Sequence, residues 1–246
     1  MRTGKRTGLA ALLIAALASA PASADEKAEQ LLAAMSTAIA ELDAFVVSGD
    51  AYADARLPEG LIIEHASMVT LRVLRPASLR LTNVAADGSK EIYFNDGTFS
   101  VSTQPRNFYA QTEIPASIEA AAEYAVEELE VDAPLLDLVM KDVAGSLRDE
   151  DSTTRYLGES LVRGERYHQL VIRGPEVDVQ LWLAMEGPPL PGKIAISAKF
   201  DGGAPRSVGF LSWDTDPELP SGSLDFVPAA DAVQIPMMRD LDAKGE

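Results

Sequence analysis

The chain has 246 residues, with 21 basic and 38 acidic side chains, a formal charge of −17 at pH 7, an apolar fraction of 47% and no cysteine. So acidic a surface repels nucleic acid and anionic headgroups, and without cysteine there is neither a disulfide framework nor a thiol for lipid attachment. The composition is globular, a chain of this length buries roughly 70% of its unfolded surface, and one domain is expected.

Arg2, Lys5 and Arg6 form a basic start, Leu9 to Leu17 an apolar run, and Ala22-Ser23-Ala24 a small-residue cleavage site before Asp25. This is the pattern of a secretory signal peptide over residues 1–24, cut after Ala24. The apolar run falls short of the roughly 20 residues that span a bilayer as a helix, and no later stretch reaches that length. An exported protein that is not a lipoprotein and has no stable membrane anchor is expected. Loss of the leader leaves 18 basic residues against 38 acidic ones.

Residues 26–44 place Leu31, Leu32, Met35, Ile39 and Leu42 at helical spacing, with Glu26, Glu29, Gln30 and Glu41 around the rest of the wheel. The spacing predicts an amphipathic N-terminal helix. From Phe45 the period changes to two. Asp87-Gly88 divides SLRLTNV from KEIYF, Asn95-Asp96-Gly97 precedes TFSVS, and Pro105-Arg106-Asn107 precedes FYAQT. Asp-Gly between alternating runs is a strong hairpin signal, so residues 45–113 read as a meander of about six antiparallel strands.

Helical spacing returns at Ile118, Ala121, Ala122, Ala125, Val126 and Leu129, behind Pro115 and Ser117. Asp132-Ala133-Pro134 then opens a second helical piece through Leu135, Leu136, Leu138 and Val139, with Asp132 as N-cap. After about residue 153 strands resume in TTRYLGES, ERYHQLVIR, VDVQLWLA, KIAISAKF, PRSVGFLSW and SGSLDFVP. Residues 25–235 are expected to form the domain and 236–246 a loose tail. So many antiparallel strands must curl, and helices must then fill the hollow. The expected fold class is mainly β (α+β): a single curved, unclosed antiparallel barrel of about 11 strands, its concave face covered by the N-terminal helix and two central helices.

The stretch VDVQLWLAMEGPPLPGKIAISAKF pairs two alternating runs across a segment holding Pro188, Pro189 and Pro191. Val177, Val179, Leu181 and Leu183 share one face, as do Ile194, Ile196, Ala198 and Phe200. Setting Leu183 opposite Ile194 places Leu181 by Ile196, Val179 by Ala198, Val177 by Phe200, and Asp178 by Lys199 on the other face. A shift of two residues keeps the faces unchanged. Trp182 then lies on the polar side, opposite Ala195, either covering backbone or recognising a partner. A loop over Ala184–Lys193 is long for a hairpin, and its prolines read as a rigid lip at one barrel end.

Several stretches, in one order, carry a resemblance: AMSTAIAELDAFVV (34–47), Arg75-Pro76 followed by SLRL, YFNDGTFSV, NFYAQTEIPASIEAA, PLLDLV (134–139), VDVQLWLAMEGPPLPGKIAIS and LDFVPAADAVQI. Together they resemble the predicted periplasmic family of domain of unknown function 2092, over nearly all of residues 30–235. That family is similar to the LolA/LolB and RseB-like proteins of the bacterial envelope. The resemblance implies a periplasmic location, an unclosed antiparallel barrel with helices over an apolar cavity, and a lipid- or lipoprotein-facing role without an assigned activity.

No catalytic constellation stands out. His65 and His168 both lie in strand-like runs, far apart, and read as strand histidines on a solvated face. Ala144-Gly145-Ser146-Leu147-Arg148 lacks both glycines that frame a nucleophile elbow, and Ser160, His168 and Asp178 form a triad only on paper. Asp214, Asp216 and Glu218, with Asp225, imitate the spacing of a calcium loop, but Leu219 stands where the turn requires glycine, so an acidic turn is the simpler reading. No enzymatic activity, cofactor or metal is implied. Two readings remain. One is a non-enzymatic carrier or chaperone holding a lipid, acyl chain or lipoprotein in a cavity lined by Leu31, Met35, Ile39, Val179, Leu181, Leu183, Ile194, Ile196 and Phe200. The other is an envelope sensor with a packed interior, recognising a protein partner through rim residues such as Trp182, Pro188, Pro189 and Pro191.

Overall fold

A computed structural model describes residues 24–129, 134–199 and 206–237. Residues 1–23 of the expected signal peptide, the expected N-cap Asp132, Phe200 and the last nine residues lie outside them. Helix α1 (Ala24–Ala40) precedes six strands: β1 (Ala44–Arg56), β2 (Ile62–Leu74), β3 (Ser78–Ala85), β4 (Gly88–Asn95), β5 (Thr98–Gln104) and β6 (Phe108–Glu113). Helix α2 (Ile118–Glu127), a 3-10 turn (Pro134–Val139) and the short helix α3 (Val143–Ser146) follow. The chain then forms β7 (Thr153–Val162), β8 (Glu165–Arg173), β9 (Val177–Ala184), β10 (Pro191–Ala198), β11 (Arg206–Asp214) and the two-residue β12 (Val233–Gln234).

The 12 strands of the described residues belong to one unclosed sheet in the order β12-β6-β5-β4-β3-β2-β1-β11-β10-β9-β8-β7. Every neighbour is antiparallel except β12, which runs parallel to β6. Two sequential meanders therefore meet at one non-local seam, where Val46 to Ala53 of β1 pair with Asp214 to Ser207 of β11. The expected mainly-β half-barrel with helices on one face is the fold found.

The core lies between the concave face and the helices. Phe45, Val47, Leu71, Val73, Leu79, Phe94 and Phe99 from the sheet are fully buried against Leu32, Met35 and Ile39 of α1 and Ile118 and Ala125 of α2. Each of these side chains other than Ala125 contributes about 1.5–3 kcal/mol. Phe99 meets Tyr124 edge-on at 5.0 Å, which fixes α2 over β5. Ser117 caps α2 by accepting from the Ala120 amide at 3.1 Å. Arg75 donates to the Val139 carbonyl at 3.0 Å, tying the 3-10 turn to the β2–β3 corner. PLLDLV thus winds as a tight 3-10 turn rather than the expected α-helix.

Asp137 in that turn has a carboxyl pushed up to about 6 by burial. The unfolded chain ionises this group near pH 4 and the folded chain only near 6, so stability falls as pH rises through that window and is flat above it. The penalty at neutral pH is on the order of 1–3 kcal/mol. Asp137→Asn is therefore expected to raise Tm by about 2–6 °C at pH 7.5 and to leave it unchanged at pH 3.5, as read by thermal circular dichroism at both pH values.

Two expectations are corrected near the C-terminus. SGSLDFVP is not a strand: it crosses the convex face irregularly, with Phe226 between Tyr93 (5.2 Å) and Tyr109 (5.3 Å). Gly222 at φ +77 and Pro220 suit this turn-rich path better than a ladder. The start of the expected loose tail is anchored, since Met237 is buried with the core cluster.

Candidate functional site

Strand alternation puts Phe45, Val47, Gly49, Ala51 and Ala53 of β1 on the concave face. After two bulky residues, three small ones follow. Their neighbours are small as well: Ala51 lies between Ser67 of β2 and Gly209 of β11, and Ala53 lies opposite Ser207. Side chains that would fill the hollow of a curved sheet are missing along this stripe, and among the described residues no α-helix lines it. The result is a partly open cavity of about 430 Å³. Such a volume is typical of small-ligand sites.

The cavity is graded along the strands. Its inner ring is apolar, formed by Val69, Leu81, Ile92, Leu211 and Ile194 under Leu135 of the 3-10 turn. One concave position further out, roughly 6–7 Å along each strand, come Ser67, Asn83, Lys90 and, past Gly209, Ser207. His65, Ala85 and Asp87 stand at the outer edge. Asn83 and Lys90 are direct cross-strand partners. Beyond Ala53 and Ser67, strands β1 and β2 pair, among the described residues, only with each other, so residues 54–66 form a two-stranded ribbon overhanging this end.

Among the expected lining residues, Ile194 and Ile196 face the cavity. Met35, Ile39, Val179, Leu181 and Leu183 are buried in the packed core, and partly buried Leu31 rests against it. Phe200 lies outside the described residues.

The proline segment sits at the other end of the half-barrel. β10 runs from Pro191 at the covered end toward Ile196 at the cavity, and the Trp213 indole donates to the Pro191 carbonyl at 2.9 Å beside Phe45. Pro191 opens β10, a position that tolerates a missing amide hydrogen, and Leu190 enters the core. The connection shortens to Met185–Leu190, and Pro188, Pro189 and Pro191 border no part of the cavity.

The hairpin register differs from the expected one by two residues: Ile194 pairs Leu181, Ile196 pairs Val179 and Ala198 pairs Val177, with an irregularity between Pro191 and Lys193. The faces are as expected. Lys199 reaches Asp178 diagonally at 2.7 Å, so the charge pair accompanies both registers and selects neither. Trp182 is no rim residue. It is buried in a small convex-face cluster with Val162 and Ala195, its indole donating to Ser160 at 3.2 Å and the Lys193 ammonium lying 4.2 Å from its ring centre.

The paper triad is separated by the sheet. Ser160 and Asp178 face the convex side, bonded to Trp182 and Lys199. His168 faces the concave side, where its Nδ1 lies 3.0 Å from the Tyr156 hydroxyl. Burial holds the His168 imidazolium below its usual range, assisted by Lys27 and opposed by Glu159. Asp214 accepts from the Asp216 amide at 3.2 Å, closing an acidic turn, and Asp225 accepts from Asn95 instead of completing a calcium loop. Among the described residues no group of three or more His, Asp or Glu is placed to hold a metal.

Among solved structures, the fold is similar to an uncharacterized conserved protein from Thermus thermophilus, with TM-score 0.49 and 11% identity over 85% of this chain and 99% of that one. MucB is similar at TM-score 0.45 and 17% identity, over 82% of this chain and 63% of its own. A LolA superfamily protein from Nitrosomonas europaea is similar at TM-score 0.40 and 14% identity, over 81% and 97%. No curated protein matches the sequence. No helix among the described residues is long and apolar enough to cross a membrane. The family model described as predicted periplasmic protein, DUF2092, matches residues 28–238, and the chain belongs to that family.

Proposed function

We propose that the protein is a non-enzymatic periplasmic carrier that holds the acyl chain of a lipid or lipoprotein in the cavity between sheet and 3-10 turn. The observation that carries this reading is the apolar inner ring, roofed by Leu135 and left unfilled because β1 and β11 supply Ala51, Ala53 and Gly209. Unfilled apolar space binds apolar ligands, since water there lacks polar partners. The alternative, a sensor with a packed interior, is disfavoured by a cavity of about 430 Å³ and by proline and tryptophan residues that stay clear of it. Export by a signal peptide cut after Ala24 completes the proposal. The test is titration of the purified protein with the neutral fluorophore N-phenyl-naphthylamine. Saturable fluorescence enhancement, reversed by a long-chain alcohol, is expected, and its absence would overturn the carrier reading.

A further inference from the structure

The polar collar of the cavity carries one lysine, and the structure records no ion pair or hydrogen bond for its ammonium among the described residues. Arg72 and Arg155 are likewise without a carboxylate partner, but among the described residues Lys90 is the one lysine or arginine that lines the cavity. Arg80, Arg148, Arg163, Arg166 and Lys199 all have carboxylate partners. Lys90 instead stands beside the amide of Asn83, with Thr103 across its other edge and apolar Ile92 next inward on its strand. Among the described residues Asp87, in the β3–β4 turn, is the sole carboxylate on the cavity wall, and it forms no salt bridge with Lys90. Lys90 is an exposed residue at the cavity mouth, and the partial desolvation it meets there lowers its pKa, with no neighbouring carboxylate raising it.

We propose that the cavity takes a single-chain amphiphile with an anionic head, its tail against the inner ring and its head on Lys90 and Asn83. The inference rests on the carrier reading and adds the head chemistry to it. The spacing suits such a molecule: the apolar ring and the polar collar are one concave position apart on the same strands, so one extended ligand meets both. A carboxylate or phosphate head would supply the counter-charge that the Lys90 ammonium lacks, and a charge-assisted bond is shorter and stronger than a neutral one. Asn83 and the hydroxyls of Ser67 and Ser207 add neutral donors. A cationic head has only Asp87 at the outer edge to meet it.

Three amphiphiles with the same twelve-carbon tail separate the two readings: dodecanoate, dodecanol and dodecyltrimethylammonium, each titrated below micelle formation against bound N-phenyl-naphthylamine at pH 7.5. Dodecanoate is expected to bind at least about ten-fold more tightly than dodecyltrimethylammonium. Lys90→Met, which keeps the apolar stem, is expected to weaken dodecanoate about ten-fold and to leave dodecanol within about two-fold. Equal binding of all three, or equal weakening of dodecanoate and dodecanol in Lys90→Met, would overturn the head assignment and leave the cavity reading intact. Failure of all three to displace the fluorophore, or failure of the fluorophore itself to bind, would overturn both. A second variant, Asn83→Leu, checks that the collar acts through polarity: a selective loss of dodecanoate supports the assignment, and a loss shared with dodecanol counts against it.

Discussion

Gly49→Ala is expected to destabilise the protein by about 3–5 kcal/mol, more than a typical single substitution. A Cβ at this position would lie 1.8 Å from the backbone carbonyl oxygen of Phe210 and 2.8 Å from its carbon. Those atoms belong to the neighbouring strand and cannot swing aside like the end of a side chain. The clash is relieved only by opening the β1–β11 seam or flattening its bend. Gly49 therefore serves close backbone approach, a recognised use of glycine inside a strand. Thermal unfolding of the variant is expected about 10 °C below the parent, or the protein fails to accumulate folded. A comparison with Gly60→Ala separates this from general glycine sensitivity. Gly60 has a positive φ but open space around it, so its cost is limited to backbone strain of about 1 kcal/mol.

Ala51→Phe is expected to abolish binding of a neutral apolar fluorophore, at least about ten-fold in Kd, while the protein stays folded. Ala51 lies at the centre of the small-residue stripe, flanked by Ser67 and Gly209. An aromatic ring here enters space already empty, so the usual cost of about 1–3 kcal/mol for overpacking a filled core does not apply. A ring beside Gly209 also covers a strand position that lacks a side chain, a pairing known to stabilise sheets. The prediction is thus a loss of binding with Tm held or slightly raised, read by titration and thermal melts on one preparation. Met68→Phe, on the convex face and 61% exposed, provides the control and is expected to bind as the parent does.

Much of the fold is legible in the sequence because its signals are local. Asp87-Gly88 and Asn95-Asp96-Gly97 mark hairpins wherever the strands end up, and Leu32, Met35 and Ile39 repeat at helical spacing whatever they pack against. The register of β9 and β10 is ambiguous in sequence for a physical reason: a two-residue slip keeps every side chain on its face, and the long Lys199 side chain reaches Asp178 from either position. The place of the cavity is not legible there, since it arises where β1 meets β11, a pairing that no short-range signal announces. Its one trace is the alternation Gly49, Ala51, Ala53, Ala55, where a core-facing strand would carry large residues. The proline segment reads as a lip because stiffness is visible in sequence, whereas the end of the barrel it serves depends on strand direction.

The strand order has a kinetic corollary. Each meander, β1–β6 and β7–β11, satisfies its ladders from near neighbours in the chain, but β1 gains its second partner only from Arg206–Asp214. A polypeptide made from its N-terminus therefore holds β1 as an open edge until almost all of it is present, the exposure that invites pairing with other chains. Contacts between distant segments form slowly because loop closure precedes their reward. The step that creates the ligand hollow is thus the last hydrogen-bonded ladder but one that synthesis permits, and maturation of the binding site coincides with protection from aggregation.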